Sequence, residues 1–127
     1  MTTTTITPSE GINEHNDCTV VALTTVSGSP YSTVHKVFAD HGRRNRGRIA
    51  LKPILQSIAH DLGLTARVVR RSGSVERLLR DHPVARLVVT TRGHAFAVID
   101  GVIHDTHTTS PLCHVKCAWL ITPTPNP

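Results

Sequence analysis

Aromatic side chains are scarce in this 127-residue chain: Tyr31, Phe38, Phe96 and Trp119 are all it has. Four rings leave almost nothing for a base-stacking platform, so binding of single-stranded nucleic acid is not expected as a primary role. No run approaches the ~18 consecutive apolar residues of a membrane span. The opening Met1-Thr2-Thr3-Thr4-Thr5 lacks the positive region and apolar run of a signal peptide, so secretion is not expected either. Cysteine is limited to three residues, an odd number, which argues against a disulfide framework and for a reducing, cytoplasmic setting in the producing or infected cell. Charged residues make 18% against 39% hydrophobic, which excludes a disordered polyelectrolyte.

What is present suits one domain. The length allows about two-thirds of the unfolded chain's surface to be buried, enough for a core without staples. The expected organisation is a flexible N-terminal tail over 1–12, a single domain over 13–121 and a flexible C-terminal tail over 122–127. Asn16 or Asp17 can cap an apolar stretch that begins near Cys18 and stops at Gly28, which predicts a short buried helix. Pro30 opens a second helix that closes at Gly42, and the spacing of Leu51, Ile54, Leu55, Ile58 and Leu62 predicts a third. After Gly63 the period changes to strands, with one short helix from Ser74 to Asp81 capped by Ser72 or Ser74. Strands are expected over 65–70, 85–91, 95–99, 102–106 and 115–121, with Trp119 closing the core beneath the last. Asp100-Gly101 between two apolar runs is a strong hairpin signal. Helices followed by an antiparallel sheet define an α+β plan.

Cys18 at a helix start places its sulfur beside unsatisfied N–H groups and the positive dipole end, both of which favour a thiolate. The hairpin supplies the base. An Asp100-Gly101 turn pairs Ile99 with Val102 and Phe96 with Asp105, so His94, Phe96, Ile103, Asp105 and His107 share a face. Asp105 then lies diagonal to His94, within reach of its imidazole. A base held by a carboxylate is what an activated thiol requires. Asp100 competes for the orienting role, but its place in the turn accounts for it, and Asp105 is preferred.

Asn16-Asp17-Cys18 at a helix start, Gly93-His94-Ala95-Phe96-Ala97-Val98 entering a strand, and Asp105 on the next strand resemble the papain-like cysteine peptidase superfamily. The likeness is to small phage and bacterial members, and it runs from about Asn13 to Trp119 on three short motifs. It implies a minimal papain-like fold, N-terminal helices packed on a twisted antiparallel sheet, with Cys18 as nucleophile, His94 as base and Asp105 as orienter. The family places an amide five or six residues before the cysteine to help hold the oxyanion. Position 12 is Ile12, so Asn13 takes that role, with Asn16 as substitute and the Cys18 N–H as second donor. The implied activity is cleavage of a peptide, isopeptide or related amide bond through a thioester, with no cofactor and no metal.

Other features have competing readings. His104, His107, Cys113, His114 and Cys117 crowd one segment at spacings zinc tolerates, yet a strand through Cys113 and Cys117 need not converge with the histidines. The net charge of +5, with Arg43, Arg44 and Arg92 as rim candidates, favours an anionic substrate or acidic peptide. Expected partners are therefore a protein, peptide, small amide or anionic substrate, with no membrane and no nucleic acid as the main partner. The alternative function is a non-catalytic binding module that keeps the cleft and captures a host protein or small anionic ligand.

Overall fold

The computed structural model describes residues 2–5, 17–44, 49–69, 73–105, 110 and 112–124. The order of elements is β1 (Thr2–Thr5), α1 (Cys18–Ser27), α2 (Tyr31–Asp40), α3 (Leu55–Asp61), β2 (Leu64–Val68), α4 (Val75–Asp81), β3 (Arg86–Thr91), β4 (His94–Ile99), β5 (Val102–Asp105) and β6 (Cys117–Pro123). One sheet runs β1-β5-β4-β3-β6-β2, with β1 parallel to β5 and the other neighbours antiparallel. The protein is α+β. No helix among the described residues is long and apolar enough to cross a membrane.

Both sheet faces are covered, which is why the middle of β3, Leu87-Val88-Val89, is apolar throughout instead of alternating. Val88, Ala97, Trp119 and Ile121 point to α1, α2 and α3, packing with Leu23, Phe38, Leu55 and Ile58. Leu87, Val89, Phe96, Val98 and Ile103 point the other way, onto Val75, Leu78 and Leu79 of α4. Trp119 and Phe38 are among the largest fully buried side chains, and each contributes roughly 1.5–3 kcal/mol or more by leaving water.

Local chemistry accounts for most boundaries. Gly28 ends α1 in the left-handed region at φ 70°, its N–H bonding to the Thr24 carbonyl. Asp100 and Gly101, at φ 50° and 80°, form the two-residue turn with positive φ at both positions, and the β4–β5 register follows it: Ile99 faces Val102 and Ala97 faces His104. Ser74 caps α4, accepting the Arg77 N–H at 3.2 Å; Ser72, the other candidate, lies outside the described residues.

Four expectations need correction. The third helix begins at Leu55 instead of Leu51, because Pro53 lacks an N–H and disfavours helical backbone at Lys52; only a turn from the Leu51 carbonyl to Ile54 and Leu55 precedes it. Pro30 stands just before α2, extended at ψ 146°, instead of inside its first turn. The N-terminal segment is not tail throughout, since residues 2–5 pair with β5 from Thr2–Val102 to Thr5–Asp105. Threonine is a strong strand former, and the outer edge of β5 offers the unmet backbone groups. At the other end, β6 runs past residue 121 to pair Thr122 with Thr65 and Pro123 with Leu64, and the Thr124 N–H meets the Gly63 carbonyl.

Candidate active site

α1 lies along β4 with its first residue, Cys18, at the end of the sheet where β4 begins. His94 is the first residue of that strand. Its ring is therefore not confined to one layer, although Phe96 and Val98, two and four residues on, face α4. The His94 Nε2 lies 2.6 Å from Asp105 Oδ1, the register having placed the two diagonally across the hairpin. That contact leaves Nδ1 as the nitrogen for Cys18, whose thiol hydrogen-bonds to the His94 side chain. The Phe96 ring packs beside the imidazole, with centroids 6.2 Å apart. Thiol, imidazole and carboxylate form one continuous chain drawn from α1, β4 and β5.

The electrostatics follow from burial and contact. The Asp105 side chain is 0% exposed, so its carboxylate is tolerable only because it is hydrogen-bonded, and a charge-assisted bond to an imidazolium is the strong kind. His94 is raised from 6.5 to about 9, first by the hydrogen bond to Asp105 and then by the one to Cys18, against a smaller opposing effect of burial. Burial pushes the Cys18 thiol up. The hydrogen bonds from His94 and from the Ala95 and Thr19 amides, with the His94 charge, outweigh it and hold the thiol below its ordinary 9.0. Thiolate and imidazolium stabilise each other.

Among the expected site residues, Cys18, His94 and Asp105 come together, while Asp100 stays in its turn at the far end of the hairpin. Asn13, Asn16 and His107 lie outside the described residues. Arg92 is exposed in the β3–β4 turn, two residues before His94, and Arg44 is exposed beyond α2. Arg43 does not fit a solvent rim: it is 5% exposed. The reason is the way α2 ends. Gly42 bonds to the Ala39 carbonyl and Arg43 to the Phe38 carbonyl, the Schellman arrangement, which turns the residue after the glycine back onto the helix. The described Cys113, His114, Cys117 and His104 do not gather, and among the described residues no group of three His, Cys, Asp or Glu side chains is placed to hold a metal.

Two contributors escaped the sequence reading. The Ala95 N–H belongs to the residue after the base, and Tyr31 donates its hydroxyl to Asp17 Oδ2 at 2.7 Å beside the nucleophile. Nothing in a separation of fourteen residues, from one helix to the next, signals that second contact. No family model, curated protein or solved structure matches the chain.

Proposed function

We propose that the protein is a papain-like thiol acyltransferase, most simply a hydrolase of peptide, isopeptide or related amide bonds. The observation that carries the reading is the hydrogen-bonded succession Cys18–His94–Asp105, with Cys18 opening a helix. The Cys18 thiolate attacks the carbonyl carbon, and the negative charge passes to the carbonyl oxygen. The Cys18 N–H at the start of α1, with Asn13 as the proposed second donor, stabilises that oxyanion. The His94 imidazolium gives its proton to the departing amine, leaving a thioester on Cys18. Neutral His94 then takes a proton from water, the hydroxide oxygen attacks the thioester, and the thiolate leaves as the acid product is released. Asp105 keeps the ring oriented and stabilises its charged form throughout.

Arg92 stands at the edge of this site, and the surplus of cationic residues supports an anionic or acidic substrate. All three cysteines are free thiols, the state a reducing compartment maintains, which supports action in the cytoplasm. Acylation tests the proposal without knowledge of the substrate. With p-nitrophenyl acetate the protein should release a burst of nitrophenolate and carry acetyl on Cys18, located by peptide mass. Cys18→Ala should bring the burst to background, and His94→Ala should slow it by about 10²–10⁴. A wild-type protein that acquires no acetyl group at Cys18 would be a binding module that keeps only the cleft.

A further inference from the structure

Asp17 occupies the cap position of α1, with a side chain of the type that caps helices, yet that side chain makes no capping bond. Asp17 is 5% exposed, and its carboxylate accepts from the Tyr31 hydroxyl at 2.7 Å. A carboxylate at this position ordinarily accepts from the second or third helical N–H, here Thr19 or Val20. Cys18 is the first residue of this helix, so the same first-turn amides lie beside its sulfur, and the Thr19 amide is among the groups that favour its thiolate. Thiolate and carboxylate would therefore compete for one amide, and the carboxylate would also bring negative charge to the end of the helix that favours the thiolate.

We propose that Tyr31 and Asp17 are positioning residues for the nucleophile: the Tyr31 hydroxyl draws the Asp17 carboxylate off the first turn of α1 and so reserves its amides for the Cys18 sulfur and the oxyanion. The inference rests on the acyl-transfer reading above. Tyr31 is well placed for this task. It is the first residue of α2, behind an extended Pro30, is 3% exposed, and packs against the His35 ring at 5.8 Å. Among the described residues, the charged and titratable groups around this helix end are Asp17 itself, His94 and, through it, Asp105, with Tyr31 and His35 from α2. Arg86 of β3 serves the far end, donating to the Val26 carbonyl at 3.0 Å.

The test is the pH dependence of iodoacetamide alkylation at Cys18, followed by peptide mass in the full chain, which needs no turnover. Wild-type Cys18 should react faster at pH 6 than Cys113 and Cys117. In Tyr31→Phe the profile should move to higher pH, with labelling at pH 6 slowed about fivefold, the ratio carried by one ordinary hydrogen bond. Removing the freed carboxylate in Tyr31→Phe/Asp17→Ala should restore the wild-type rate or exceed it, which no general loosening of the fold would do. Asp17→Asn keeps an acceptor for Tyr31 and deletes the charge; it should label faster than wild type at pH 6, and it serves if Tyr31→Phe folds poorly. An unchanged profile in Tyr31→Phe, a slowing that the double variant does not restore, or a slower Asp17→Asn overturns the inference while leaving the acyl-transfer reading standing. A wild-type Cys18 that labels no faster than Cys113 and Cys117 overturns both.

Discussion

The helices α1 and α4 cover opposite faces of one sheet, and each begins on a residue of the capping type. At α4 the cap is used: Ser74 is extended, accepts the Arg77 N–H, and Glu76 in the first turn places negative charge at the dipole's positive end. At α1 none of this happens. Its first turn has no acidic residue, and its cap side chain bonds to Tyr31 instead. A helix that serves only as structure satisfies its own end. The end of α1 is left without that capping bond, and on the proposed reading its donors are kept for the Cys18 sulfur. That is the kind of local rule-breaking expected at a functional site.

The largest change to the contrast should come from His94→Ala. It takes the imidazole from a carboxylate whose side chain is wholly buried, so thermal or denaturant unfolding should register a loss of about 3 kcal/mol, and the Cys18 thiol should return towards ordinary acidity. A variant as stable as wild type would mean that Asp105 does not depend on its histidine.

A pH series comes next. The folded-state value of His94 is raised, so its contribution to stability is complete below about 6.5 and is lost as pH rises through about 9. Cys18 is lowered, so its contribution is present above 9.0 and is lost as pH falls through its folded value. Acylation should therefore rise as Cys18 ionises and decline above about pH 9 as His94 loses its proton. These limits belong to the pair and not to either residue alone. A rate that climbs without a maximum past pH 10 would show the imidazolium to be irrelevant.

The smallest effect belongs to the capped helix. Ser74→Ala should cost about 1 kcal/mol of stability and leave the reactivity of Cys18 unchanged, as measured by chemical denaturation and alkylation side by side. Altered thiol reactivity in that variant would show that the two helix ends are not independent.

Much of the site could be read before any coordinates. Asp100-Gly101 sets the hairpin, the hairpin sets the register, and the register carries His94 to Asp105. These are consecutive local rules, each acting over two to eleven residues. Gly28 and Gly42 mark helix ends for the same reason, since left-handed backbone is open to glycine at little cost. Pro53 carries the local signal that starts the third helix at Leu55, although the apolar spacing extends back to Leu51.

What local rules did not reach was decided by packing. The pairing of residues 2–5 depends on an edge that exists only once β5 has joined β4. The hydrogen bond from Tyr31 to Asp17 depends on how α2 sits against α1. By itself the sequence determined most of the elements, the hairpin register and the placing of His94 diagonal to Asp105, because period, turn chemistry and caps act between near neighbours. Only the tertiary structure decided that sulfur and imidazole, 76 positions apart in the chain, meet at the end of one sheet, and that the carboxylate beside the sulfur turns away from it; burial and competition for a few amides are settled only when helices and sheet come together.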